Sequence, residues 1–176
     1  MNLVLGGAMG SGKSTVGRLA AAALRRPFVD TDEWVEADAG GSVAEIFARE
    51  GEAGFRGREA AALRAVLDLG DRVVATGGGI VVRPDNRAAL RDGGAVVVLL
   101  WAEPEELWRR LAAQAASRPR LQVADPVAVL RDDLQRRGPW YREVADLTVA
   151  AGAPADAARQ AAEALRRAER EGALRR

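Results

Sequence analysis

Gly7, Gly12, Lys13 and Ser14 stand at the spacing G-x-x-x-x-G-K-S, directly after the apolar run "NLVL" and directly before a segment of helical period. In that setting the residue types suit a polyphosphate. Glycines let the chain turn so that successive N–H groups face inward onto phosphate oxygens, and the first turn of the following helix adds unpaired donors and the positive end of its dipole. Ser14 offers a hydroxyl to Mg²⁺ and Lys13 a compact charge to the β- and γ-phosphates. Lys13 is the single lysine among 26 basic residues, all the others being arginine. Arginine replaces lysine readily on solvated helix faces, but a planar fork cannot take the place of a rotatable ammonium inside a closed backbone cradle. Position 13 is therefore read as nucleotide chemistry.

Other chemically capable residues follow at strand ends. "FVDTDEW" puts Asp30 and Asp32 after a second apolar run. On extended chain residues i and i+2 point the same way, so one carboxylate is placed for a metal-bound water and the other for an acceptor hydroxyl; the competing reading is a helix N-cap. "ATGGGIV" supplies Gly77, Gly78 and Gly79, where exposed backbone N–H groups admit a close ligand. Arg56 in "GFRGRE" has Glu59 within reach three residues on, Arg118 lies in "ASRPRL", and Arg137 precedes what reads as a Pro-Trp-Tyr turn.

These residues need a scaffold, and the pattern of the 176 residues provides one. Strand-length Val- and Leu-rich runs occur at 2–5, 27–29, 72–75, 95–101 and 147–150. Between them, helical periods occupy 13–24, 42–49, 56–69, 104–114, 126–136 and 154–170. The alternation predicts parallel strands joined by helices, and strands without polar alternation, such as "AVVVLLW", predict helices on both sheet faces. The expected fold is a three-layer α/β/α core in one domain, 1–176. Two flaps are expected on it: a helical, glycine-broken segment at about 33–60, and a lid at about 115–125.

Composition narrows the chemistry. The net charge of +1, from 26 basic and 25 acidic residues, gives no reason to expect a nucleic acid or an anionic membrane as partner. Without cysteine or histidine there is no disulfide, thiolate or imidazole chemistry, so acid–base work falls to carboxylates and water. No apolar run approaches a membrane span, and a cytoplasmic location is expected.

In this order the motifs resemble the shikimate kinases, a family of the nucleoside-monophosphate-kinase-like P-loop group. The resemblance rests on "GAMGSGKSTVG", "DTD", "SVAEIFAREGEAGFRGRE", "GGG", "RP" and "RGPWYREVA", and covers nearly the whole chain. It implies a five-stranded parallel sheet ordered 2-3-1-4-5 and an ATP- and Mg²⁺-dependent phosphorylation of the 3-hydroxyl of shikimate, a step toward chorismate and the aromatic amino acids, by a monomer. Carried over by position, Gly10, Ser11, Gly12, Lys13, Ser14 and Thr15 hold the ATP phosphates, with Arg110 on the adenine side and Arg118 reaching in from the lid. Ser14 and Asp30 serve the metal. Asp32 binds the reacting hydroxyls, as base or as orienting group, and Arg56 and Arg137 clamp the carboxylate near Gly77, Gly78 and Gly79. The lid departs from the family's usual R-P-L-L in reading "RPRL". Two alternatives remain at this stage: another small-molecule kinase of the group, such as a gluconate kinase, and a non-catalytic nucleotide-binding module.

Overall fold

The computed structural model describes residues 1–117 and 121–174. Its centre is a parallel sheet of β1 (Leu3–Gly6), β2 (Phe28–Asp30), β3 (Val73–Ala75), β4 (Val96–Trp101) and β5 (Leu147–Ala150), in the order β2-β3-β1-β4-β5. The connections carry α1 (Lys13–Leu24), α2 (Thr31–Ala39), α3 (Val43–Leu69), α4 (Pro84–Asp92), α5 (Pro104–Leu111) and α6 (Pro126–Val144), and α7 (Pro154–Leu174) closes the chain. Register follows from the central strand: Leu3 lies beside Val73 and Val96, and Leu5 beside Ala75 and Val98.

Successive residues of a strand face opposite sides of the sheet, and the packing obeys that rule. Leu3, Leu5, Val98 and Leu100 pack against Val16 and Ala20 of α1 and Ala161 and Leu165 of α7. Val4, Val74, Val97 and Leu99 pack on the other side against Leu63 and Val66 of α3, Leu90 of α4 and Tyr141 of α6. Because both faces are covered, β1 is buried throughout, and each such aliphatic side chain contributes about 1.5–3 kcal/mol relative to an exposed one. The three-layer architecture and the strand order are those expected from the sequence.

The two helical periods at 42–49 and 56–69 are the two arms of α3, which meet at a non-helical Gly51 (φ 71°, ψ −178°), so the division expected from the sequence holds. Three local readings differ. Asp32 is not on extended chain: α2 begins at Thr31, with Asp30 as its N-cap. A 3-10 turn at Ile80–Val82 and α4 lie beyond the triple glycine, where no helix was expected. Helix α6 runs on past 136 through Pro139 to Val144, so the Pro-Trp-Tyr segment is helix and not turn. A proline inside a helix costs about 3 kcal/mol, and here burial of Tyr141 and Val144 against the sheet offsets it. At the lid, residues 112–117 form a 3-10 turn and Leu121 is buried between α5 and α6; Arg118, Pro119 and Arg120 lie outside the described residues.

Candidate active site

The features singled out by sequence gather at the carboxyl edge of the sheet, where open α/β sheets bind ligands. They line a cleft of 1240 Å³. One wall is the loop between β1 and α1. Gly10 and Gly12 take positive φ (82° and 91°), and Gly12 caps α1 without any side-chain hydrogen bond, so the first N–H groups of α1 are left to a ligand. Lys13 is folded back under the loop, Nζ donating to the Ala8 carbonyl at 2.8 Å. Gly10, Gly12, Ser14 and Thr15 line the cleft. Ser11 is turned inward with its hydroxyl buried, and meets the site through its carbonyl, which accepts from Arg110 Nη1 at 3.4 Å. Arg110 also pairs with Glu106 at 2.6 Å and donates to the Ala151 carbonyl beyond β5. Glu106 is held down to about 2 by its hydrogen bonds from Arg109 and Arg110.

At the end of β2, the N-cap geometry and the metal-type geometry coincide. Asp30 Oδ1 accepts from the Asp32 backbone N–H at 3.0 Å, while Oδ2 accepts from Ser14 Oγ at 2.7 Å. This joins a hydroxyl and a carboxylate, both hard oxygen donors, beside the phosphate loop. No group of three or more acidic, histidine or cysteine side chains stands together among the described residues. Such a sparse donor set fits Mg²⁺, which retains waters and substrate phosphates and asks for one or two protein carboxylates.

The far end of the cleft is built on α2, α3 and α6. Arg56 Nη1 pairs with Glu59 at 2.9 Å on the buried face of α3. Phe47 and Phe55 stack at 4.5 Å between centroids across the Gly51 kink and form an apolar wall. Arg137 Nη1 donates to the Gly78 carbonyl at 3.3 Å, and the Tyr141 hydroxyl donates to that same carbonyl. Asp133, one turn earlier on α6, lies 3.5 Å from Arg137 Nη2. Burial pushes Tyr141 up to about 12, so it remains a donor.

The triple glycine also serves close packing. The Gly77 N–H is taken by Thr31 Oγ1 at 3.0 Å. A Cβ on Gly77 would stand 2.5 Å from Asp32 Oδ1 and 2.6 Å from Glu59 Oε1, and one on Gly79 would overlap the Arg56 guanidinium. Absent side chains at 77 and 79 are what let Asp32, Arg56 and Glu59 converge. Burial, then the neighbouring Asp30 charge, raises Asp32 above its ordinary value of 3.8, against the pull of Lys13 and Arg56. Burial likewise raises Glu59 above 4.5, opposed by Arg56.

Buried polar atoms without partners are rare in folded proteins and call for an explanation. Asp32 Oδ1, Arg56 Nε and Glu59 Oε1 are three such atoms, all on residues lining this cleft. They are the kind of atoms to which a polar ligand bonds.

A family model of shikimate kinase matches residues 9–168. The chain belongs to the shikimate kinase family. The shikimate kinase of Symbiobacterium thermophilum is 51% identical over 150 residues, covering 85% of this chain and 86% of that one. That of Chromohalobacter salexigens is 50% identical over 147 residues, covering 84% and 81%. Among solved structures, a shikimate kinase from Acinetobacter baumannii in complex with shikimate superposes with a TM-score of 0.85 at 41% identity, covering 90% of this chain and 89% of that one. A gluconokinase from Sinorhizobium meliloti shares the fold at a TM-score of 0.63 and 21% identity, which says nothing of the acceptor.

The residues read from sequence fall together along this cleft, apart from Ser11, whose hydroxyl is buried beneath the loop, and Arg118, which lies outside the described residues. Asp133, Tyr141, Glu36, Phe47 and Phe55 line the same cleft without having been assigned to it. Asp133 and Tyr141 were accessible to a spacing argument, since each is four residues from Arg137 on one helix. Phe47 and Phe55 were not, because the Gly51 kink breaks the period that relates them.

Proposed function

We propose that the cleft divides its work between a nucleotide end and an acceptor end, and that each sequence-assigned residue acts where it stands. The protein is a shikimate kinase: it transfers the γ-phosphoryl group of ATP to the 3-hydroxyl of shikimate. Gly10, Gly12 and Thr15 wrap the phosphates with backbone donors, Ser11 braces the loop with its N–H on the Ala8 carbonyl, Lys13 leaves that carbonyl to meet the β- and γ-phosphates, and Arg110 borders the adenine. Ser14 and Asp30 would hold Mg²⁺, and the ion bound there would neutralise charge on the phosphate oxygens.

At the acceptor end, Arg56 and Arg137 clamp the shikimate carboxylate, and Gly77, Gly78 and Gly79 let the ring approach the phosphate loop. Asp32 binds the 3-hydroxyl. As the oxygen attacks phosphorus, its O–H bond breaks and the proton passes to Asp32, whose raised affinity for protons suits that task. In-line positioning and neutralised charge supply the rest of the rate. Residues 33–60 act as the acceptor flap and 115–125 as the lid, from which Arg118 reaches the transferring group. The protein works as a cytoplasmic monomer; no helix among the described residues is long and apolar enough to cross a membrane.

The observation that supports this division best is the trio of unpartnered polar atoms on Asp32, Arg56 and Glu59 at the end remote from Arg110. Its test is ADP release with ATP and Mg²⁺, alone, with shikimate, and with gluconate. Release that requires shikimate and is not supported by gluconate is the expected result; equal release with gluconate overturns the acceptor assignment.

A further inference from the structure

The α6 wall of the cleft carries a carboxylate that phosphoryl transfer does not require. Asp133 and Arg137 are four residues apart, which places both on one face of α6, and both line the cleft. The Asp133 side chain is 11% exposed and, on α6 itself, lies close to Arg136 Nη2 at 2.9 Å and Arg137 Nη2 at 3.5 Å. Arg136 reaches it from the solvent side, being 67% exposed, whereas Arg137 is 17% exposed. The other terminal nitrogen of Arg137 donates to the Gly78 carbonyl at 3.3 Å.

A guanidinium grips a carboxylate best with two parallel N–H bonds of about 2.7–2.9 Å. Both terminal nitrogens of Arg137 are already engaged by protein acceptors, and both contacts are longer than that. They hold the guanidinium over the cleft but are weak enough to be exchanged.

We propose that Asp133 is a positioning residue that competes with the substrate carboxylate for Arg137, and so sets the affinity of the site for its acidic acceptor. The inference rests on the reading of Arg137 as part of the carboxylate clamp. On binding, one carboxylate replaces another at Nη2. Asp133 keeps its shorter contact with Arg136, so it is not stranded as an uncompensated buried charge. Until then Arg137 is kept extended across the cleft, and less order has to be imposed on it when substrate arrives. The cost is competition at Nη2 and a like charge beside the incoming anion.

The test is steady-state kinetics at low ionic strength with shikimate, with its uncharged methyl ester, and with ATP. Asp133→Asn keeps the shape and removes the charge; the KM for shikimate is expected to fall roughly two- to fivefold, with the KM values for the ester and for ATP unmoved. Arg136→Ala removes the shorter of the two contacts and turns Asp133 toward Arg137, so the shikimate KM is expected to rise. Opposite signs for the two variants distinguish competition from packing, which moves both the same way. A raised shikimate KM in Asp133→Asn, or a change as large for the ester as for the acid, overturns the proposal. Arg137→Ala is the separate arm. If it leaves the shikimate KM unchanged, the clamp assignment fails and the competition with it; if it raises that KM while Asp133→Asn changes nothing, only the competition is overturned.

Discussion

Lys13 shows how one side chain can be legible both in sequence and in structure. A chain that uses arginine at every other basic position keeps lysine here, and the cradle explains the exception. The ammonium is nearly buried, at 9% exposure, and donates to the Ala8 carbonyl from beneath the phosphate loop. A guanidinium carries its donors on a flat, wider group that cannot rotate among phosphate oxygens within that loop. Lys13→Arg is therefore expected to fold normally and to lose turnover by about a hundredfold or more, the order lost when one preorganised donor to a reacting oxyanion is removed. Circular dichroism and shikimate-dependent ADP release check the two halves; activity near that of the parent protein overturns the point-charge argument.

Among the elements, the three central strands were readable because both of their faces are buried. "LVL" and "VVVLL" are covered on both faces, so continuous apolarity marks them at once. Helices that bury little were not. α2 has only Thr31 and Val35 buried and α4 only Asn86 and Leu90, too few apolar positions to generate a period. The site split the same way: Arg56 and Asp32 stand out by motif, but that Gly77 and Gly79 make room for them is not legible in the sequence, because these neighbours are distant along the chain. The kink in α3 is a further case where backbone geometry decides. Gly51 has φ 71° and ψ −178°, a region essentially closed to residues with a Cβ, whereas Gly57 in the same helix is exposed with open space around its would-be Cβ. Gly51→Ala is expected to destabilise by about 1–3 kcal/mol and Gly57→Ala to stabilise by up to about 1 kcal/mol. Thermal unfolding of the two variants tests this. If both alanines prove stabilising, α3 is straight in solution, and the flap that carries Phe47 is not set by the kink.

For the molecule as a whole, carboxylates pull the pH dependence of stability in two directions. Glu50, Asp85 and Glu106 are each lowered to about 2 by hydrogen bonds from arginines, so their contribution is present above the ordinary carboxylate range and is lost as pH falls toward 2. Asp32 and Glu59 behave oppositely. Burial outweighs the nearby cations and raises both, so folding binds their protons more tightly than the unfolded chain does. Their contribution is complete below the unfolded values, near 3.8 and 4.5, and declines as pH rises through the raised folded values. The active site thus keeps charged groups in a place the fold would prefer neutral, which is a common stability cost of function. Glu59 isolates the effect because its side chain is 1% exposed and its ion-pair partner is a single guanidinium, that of Arg56. Glu59→Gln retains a side-chain oxygen for Arg56 and removes the titration. The unfolding temperature of Glu59→Gln minus that of the parent protein is expected to become more positive as pH rises above 4.5 and through the raised folded value, where the parent's buried carboxyl ionises. A difference that stays flat, or moves toward the parent protein with rising pH, means that Arg56 more than compensates for burial and that Glu59 is an ordinary ion-pair carboxylate.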